Sequence, residues 1–370
     1  MLMERGISLE KAISIVQLEK KTLSLELIHL DNAYGRILAN PLNSKVNDPR
    51  FDNSAMDGWA VRKEDCLENN ETILQIVGIS QAGNSESIRV GPGEACKIMT
   101  GAPIPIGADA IVMIEDSRPD NENVIILGPA RRTYIRKKGE NISQDEQVLS
   151  KGHYMDAASI SLAATMGHET IEVFCKPIVG IISTGNELVM PGSEIKESQI
   201  YESNSFGIAA LVESIGGKPI RYETVTDSVE ELRNSLDRAT ENCDLIITSG
   251  GVSMGDFDIV RKLMELEGEV SFWRIKMRPG GPPLFGKWKK TPIFGLPGNP
   301  VSSHLVFSML VCPWFTASFG THKNSKLTLG KKVRVKMLND VKGAPGKLCL
   351  RRIKITNDTE GLIATTHTHQ

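Results

Sequence analysis

No CxxC pair and no HxxxH or HExxH spacing occurs in the 370 residues. Neither a disulfide framework nor a zinc site is therefore expected, and the closely spaced pair His367 and His369 is terminal. The six cysteines, Cys66, Cys96, Cys175, Cys243, Cys312 and Cys349, are scattered, and several lie in apolar runs. They read as reduced core residues of a cytoplasmic protein. Excess charge is missing too: 43 Lys and Arg stand against 45 Asp and Glu, a formal net charge of −2. No overall field would draw the chain onto nucleic acid, so any anion binding must be local. The start, MLMERGISLEKAISIVQ, carries Glu4 and no uninterrupted apolar segment, which excludes a signal peptide. The most apolar window, His304 to Phe319, is interrupted by Ser308, Pro313 and Ser318 and falls short of a membrane span. A buried helix is expected there, with no membrane partner.

What is present is the composition of a folded, soluble chain, 40% hydrophobic and 24% charged. At about 150 residues per domain, two to four domains are expected. Ser8 can cap a helix with apolar positions at Leu9, Ala12, Ile13 and Val16. Short β-branched runs such as TILQIVGIS and NVIIL follow, separated by Gly, Pro and Asn turns. Helical spacing returns at residues 154–166. The β module at 48–147 thus reads as an insertion into a discontinuous linking domain, 1–47 and 148–177. From 178 to 320 strand and helix signals alternate, as in a doubly wound parallel sheet with helices on both faces. Residues 321–370 read as a further small β domain, apparently incomplete, because only three or so strands fit. Together these segments predict an α/β multidomain protein.

Ligands of such sheets sit beyond the carboxyl ends of the strands. One exit carries Ser183, Thr184, Gly185 and Glu187; another carries Ser249, Gly250, Gly251, Ser253, Asp256 and Asp258. Paired glycines let a backbone approach a ligand closely, and the following helix start favours an anion. ETVTDSVEEL adds Asp227 after a third strand, where a helix cap is the plainer reading, and LPGNPVSSH adds a rigid turn before a helix, with Pro300 suited to a first helical position. In FWRIKMRPGGPP, residues Arg274, Lys276 and Arg278 lie two apart and project from one face of a strand, a cation row that needs anions to meet it. With the nearby carboxylates, the pattern implies an anionic, phosphate-bearing ligand and a hard cation such as Mg²⁺. No Ser, His and Asp set in a recognisable context calls for a protein nucleophile. A second basic group, Arg131 to Lys138, leads into Glu140 and Asn141 and suits a solvated hairpin. FDNSAMDGWAV reads as a polar turn with Phe51 and Trp59 packing on either side.

FDNSAMDGWAV, IMTGAPIP, KKGENIS, STGNEL, TSGGVSMGDFD, MRPGGPPLFG and LPGNPVSS, in this order, resemble the MoeA family of molybdopterin molybdenumtransferases, related to the gephyrin E domain. The resemblance implies a molybdopterin-binding, MogA-like α/β domain beside the small β domains. It implies a homodimer that inserts molybdate into adenylylated molybdopterin and releases AMP, with Mg²⁺ assisting. By the same resemblance Glu187, Asp227 and Asp258 act at the pocket and could ligate the metal. Asp57, Thr100 and Asn141 would come from the β module of the second subunit, completing a composite site. Ser183, Thr184, Gly185, Ser249, Gly250, Gly251, Ser253, Arg274, Arg278, Pro297 and Pro300 would bind substrate.

The chain departs from the family pattern at Asn141, where Asp is usual, and at Glu202, where YESN replaces an Asp-containing form. Gly281 stands where relatives often have Lys. Two other readings remain beside the insertase: a molybdopterin adenylyltransferase, which resembles residues 178–320 alone and which could instead be a partner, and a dimeric scaffold with a weakened site.

Overall fold

The computed structural model describes residues 4–67, 71–83, 88–252, 258–321, 333–359 and 361–366. The chain divides into two compact units: Met1–Asn40, Ser150–Ser159 and Thr170–Gln370 form the first, and Pro41–Leu149 with Ile160–Glu169 form the second. Ser253, Asp256, His367 and His369 lie outside the described residues.

In the first unit a seven-stranded sheet runs in the order Glu4–Ile7, Glu269–Ile275, Leu284–Trp288, Thr291–Leu296, Leu245–Ser249, Ile178–Ser183, Lys218–Arg221. Every neighbouring pair is parallel except the two that involve Leu284–Trp288. The doubly wound α/β architecture is present with this one reversal. Its cause is local: only Lys289 and Lys290 separate that strand from the next, a link that makes a hairpin and cannot make a crossover. Lys289 accordingly takes a positive φ of 55°.

Side chains alternate across the strands, and each face has its own core. Val179, Ile181, Leu245 and Ile247 pack with Val212, Leu310 and Phe315, whereas Ile182 and Ile246 pack with Leu232, Leu236, Val260 and Leu263. Burial on both faces is why IVGIIS and LIITS read as continuous apolar runs. Helices Leu9–Leu18 and Asn204–Ser214 and the helical stretch Pro300–Phe319 cover one face; Val229–Asn242 and Ile259–Leu266 cover the other. The Ser8 cap forms as expected, its Oγ accepting from the Lys11 N–H at 3.2 Å. The strand before it escaped notice, because ERGI is short and contains Gly6 at φ 62°. Pro300–Phe319 is the buried helix expected: Trp314, Phe315 and Phe319 are almost wholly enclosed, and Trp314 Nε1 donates to the Glu19 carbonyl at 2.8 Å. Burial pushes the Cys312 thiol up to about 12, in keeping with a reduced core cysteine.

Toward the C-terminus Lys336–Met337, Gly361–Thr366 and Ile353–Asp358 make a three-stranded sheet. Leu348–Cys349 instead pairs with Met277–Arg278.

The second unit is built on a six-stranded sheet ordered Ala110–Met113, Gly58–Val61, Glu94–Ile98, Thr72–Ser80, Asn123–Ile126, Ser117–Asp120. Trp59 is 2% exposed, and its Nε1 donates to Ser117 Oγ at 2.8 Å. Phe51 is 45% exposed, so of the two aromatics expected to pack beside the polar turn only Trp59 does. Phe51 sits at the rim because the sheet begins beyond it.

Phe315 lies 5.3 Å from Trp314 and 6.0 Å from Phe319 between ring centroids. Phe315→Ala is expected to cost about 3–5 kcal/mol, read as a lower midpoint in urea followed by tryptophan fluorescence. A loss below about 1 kcal/mol would mean that this core collapses into the space.

Candidate active site

Parallel pairing sets the exits of the central strands level. Ser183 pairs with Ser249, and Ser249 with Leu296, so Thr184, Gly250 and Pro297 leave the sheet side by side. Thr184 N–H donates to the Ser249 carbonyl at 3.0 Å, Gly250 N–H to Leu296 at 3.1 Å, and Gly185 N–H to Val225 at 3.1 Å. Gly250 and Gly251 take φ of 96° and 64°. A Cβ on Gly250 would lie 2.6 Å from the Thr184 carbonyl, so this turn admits no side chain. The sequence-expected residues Ser183, Thr184, Gly185, Ser249, Gly250, Gly251 and Pro297 are thereby brought to one edge.

The next turns come from helix starts. Asn299 Oδ1 accepts from Ser302 N–H at 3.2 Å, with Pro300 at the first helical position, and Ser303 Oγ donates to the Pro297 carbonyl. Asp227 does not cap its helix; Ser228 does, accepting from Glu231 N–H at 3.3 Å. Asp227 N–H instead donates to Asn186 Oδ1 at 3.0 Å, tying it to the Thr184–Glu187 loop. The Glu187 carboxylate folds back over Gly185, where a Cβ would meet Oε2 at 2.6 Å. Asp258 immediately precedes helix Ile259–Leu266.

Glu202, next to Tyr201, brings a buried charge. Glu202 is 1% exposed; Ser183 Oγ donates to its Oε1 at 2.9 Å, Ser205 N–H to Oε1 at 2.7 Å and Ser205 Oγ to Oε2 at 2.6 Å. Arg221 Nη2 stands 3.8 Å from Oε2, and its guanidinium lies 3.3 Å from the Phe206 ring centroid. A carboxylate can be buried because donors surround it. Glu202 therefore holds the Ser183 hydroxyl from inside the fold.

The cation row departs from expectation. Arg274, Lys276 and Arg278 do not share a regular strand: Glu269–Ile275 ends before Lys276, Met277–Arg278 begins afresh, and Arg274 sits at φ 69°. Positive φ breaks the pleat that a period-two argument requires. All three side chains remain exposed, and Arg274 stacks 5.4 Å from the Trp273 ring centroid. Leu348 N–H donates to the Lys276 carbonyl at 2.8 Å and Leu350 N–H to Arg278 at 2.9 Å. This main-chain support from the C-terminal segment had no signal in the sequence.

Glu187, Asp227 and Asp258 supply hard oxygen donors, but among the described residues no group of three His, Cys, Asp or Glu side chains is placed to hold a metal ion. Among the described residues no closed protein cage is built. Mg²⁺ commonly takes one or two carboxylates and completes its shell from water and substrate phosphate, and that lesser requirement these residues fit.

In the second unit the polar turn resolves into two holds. Asp57 Oδ1 accepts from Thr100 N–H at 2.7 Å, joining two residues expected to act together. Asp52 accepts from Lys137 Nζ and from Lys138 N–H, each at 2.8 Å. The Lys137 ammonium first, then the Lys138 N–H, holds the Asp52 carboxyl below its ordinary value against the opposing effect of burial. Ser54 exchanges backbone bonds with Gly101 and Ala102, and Asn53–Ser54 pairs with Ile135–Arg136. Asn141 Nδ2 donates to Asp48 Oδ2 at 3.1 Å.

The first unit is a doubly wound α/β domain whose glycine turns, carboxylates and exposed arginines suit an anionic ligand at the strand ends. Residues 7–167 match the model described as the MoeA N-terminal region (domain I and II), and residues 180–317 match a probable molybdopterin binding domain. The chain is 38% identical over 290 residues to a molybdopterin molybdenumtransferase of Haemophilus influenzae, covering 78% of this chain and 71% of that one. It is 36% identical to molybdopterin molybdenumtransferase 2 of Mycobacterium tuberculosis, covering 81% and 78%. A crystal structure of the molybdopterin biosynthesis MoeA protein from Pyrococcus horikoshii superimposes with a TM-score of 0.82 at 28% identity, over 99% of this chain and 90% of that one. The chain belongs to the MoeA family of molybdopterin molybdenumtransferases.

Two titrations follow from the second unit. Lys137→Met is expected to raise the Asp52 pKa toward its ordinary value in a carboxyl NMR titration. The stabilisation in question exists above the unfolded pKa and is lost as pH falls through the depressed folded one; an unmoved Asp52 would exclude Lys137 as the main cause. Asn141→Asp replaces a donor by a second carboxylate facing Asp48, so one of the pair should titrate above the usual range. Thermal stability of that variant should then fall as pH rises through that value, and a flat profile would contradict the contact.

Proposed function

We propose that this chain inserts molybdate into adenylylated molybdopterin with release of AMP, as a cytoplasmic homodimer. The observation that carries the reading is the level set of strand exits at Ser183, Ser249 and Leu296 within the region matching a molybdopterin binding domain. The match to the N-terminal MoeA region, residues 7–167, favours the insertase over a lone adenylyltransferase, which would here be a partner that supplies the adenylylated substrate.

In this reading the substrate's phosphates lie over Thr184, Gly185, Gly250 and Gly251, where close backbone approach is possible. Arg274 and Arg278 hold the anionic groups, phosphate or the molybdate oxyanion. Pro297 and Pro300 fix the wall of the pocket. One or two of Glu187, Asp227 and Asp258 would hold Mg²⁺, with water and phosphate oxygens completing its shell. The ion, when bound, neutralises charge that builds on the phosphoanhydride as AMP leaves. The dithiolene sulfurs that receive molybdenum belong to the substrate, so no cysteine of the chain is required. Asp57, Thr100 and Asn141 are assigned to the β unit of the second subunit, completing a composite site. The Thr100 N–H bond fixes one Asp57 oxygen, leaving the carboxylate directed by the turn.

Purified protein given adenylylated molybdopterin, molybdate and Mg²⁺ should release AMP and yield cofactor that activates an apo-molybdoenzyme. Binding without AMP release would refute the reading. Asp57→Asn and Asp258→Ala should each lower turnover by about a hundredfold or more while the dimer and circular dichroism stay unchanged. Mixed dimers of the two variants should recover one working site of two, and a mixture no more active than its parents would exclude the composite site.

A further inference from the structure

Asn204 has no role in the reading above, yet it sits where two of the ligand-facing exits meet. It is the first residue of helix Asn204–Ser214. Its Nδ2 donates to Ser249 Oγ and to the Gly298 carbonyl, both at 2.7 Å. Ser249 ends the strand that opens into Gly250 and Gly251, and Gly298 lies two residues past the end of the adjoining strand. The loops are in touching range: a Cβ on Gly298 would stand 3.6 Å from Gly250 Cα. Both hydrogens of one amide are thus spent on spacing two loops.

The same side chain leaves Oδ1 buried with no partner among the described residues. An unmade buried acceptor is costly, and a residue serving the fold alone would be better replaced by one without it. A Ser249 hydroxyl that accepts from Asn204 must also aim its own hydrogen elsewhere, which fixes it as a donor. We infer that Asn204 is a positioning residue that sets the separation of the Gly250 and Gly298 loops and the donor direction of Ser249, and thereby the affinity for the phosphate-bearing substrate. The inference rests on the function proposed above. It differs from the part played by Glu202, which among the three strand exits holds Ser183 and otherwise meets Ser205 and Arg221.

The test compares full-length wild type with Asn204→Ala, Asn204→Asp and Asn204→Ser. Steady-state AMP release from adenylylated molybdopterin is expected to show KM raised about tenfold or more in the Ala and Asp variants, with kcat within about threefold of wild type. Asn204→Ser, which keeps a single donor, should fall between. Hydrogen exchange should accelerate in peptides spanning 245–252 and 293–300 and stay unchanged elsewhere in the sheet. KM within about twofold of wild type in the Ala and Asp variants, exchange that rises across the whole sheet, or failure of all three to fold would each overturn the inference. A wild type that releases no AMP refutes the proposed function instead, and the exchange measurement then decides the role of Asn204 independently.

Discussion

The in-register parallel pairing of Ser183 with Ser249, and of Ser249 with Leu296, is the constraint on which the site depends. Parallel strands must return by helical crossovers, so their carboxyl ends accumulate on one edge, and equal register makes them stop at one height. Glycines then decide how near a ligand comes, and helix starts decide what charge it meets. Residues 202–205 work from beneath that edge: a buried glutamate holds the first exit and an asparagine the second and third. Glu202 does so while almost wholly enclosed, and Asn204 while half-buried.

Burying Glu202 is costly unless each oxygen is met. Here a backbone N–H, two hydroxyls and a guanidinium meet it, and Arg221 is itself braced by Phe206. A glutamate has one more methylene than an aspartate, so its carboxylate reaches farther from the backbone. The strand exit is tied to the helix start by side chains as well as by the sheet.

Much of this was legible in the sequence because local rules and tertiary structure agree. IVGIIS and LIITS read as buried strands and are buried strands; Ser8 and Pro300 read as helix starts and are helix starts. The candidate residues at the strand exits followed from where such sheets bind ligands. What was not legible depended on partners distant in sequence or on backbone conformations with no residue signature. Arg274 has the positive φ usually left to glycine, and the strand breaks at Lys276, so counting by twos through FWRIKMR found three exposed cations but not the interruption between them. The pairing of Leu348–Cys349 with Met277–Arg278 joins segments some seventy residues apart, and neither segment's composition announces the other. Asp52 and Asp57 could be seen as a polar cluster, but only the fold separates their tasks, one bound to Lys137 and Lys138 just past the short strand Ile135–Arg136 and the other to Thr100.

The edge strand Glu4–Ile7 has a consequence for the chain as it is made. Its partner in the sheet is Phe272 to Ile275, so this strand waits for more than 260 residues before it can pair. At about 5–20 residues per second that interval is on the order of tens of seconds. During it the second unit, Pro41–Leu149 with Ile160–Glu169, has emerged entire, whereas the seven-stranded sheet lacks its edge and its two hairpin strands. The seven-stranded sheet therefore closes later than the second unit, although its edge strand Glu4–Ile7 is made before that unit.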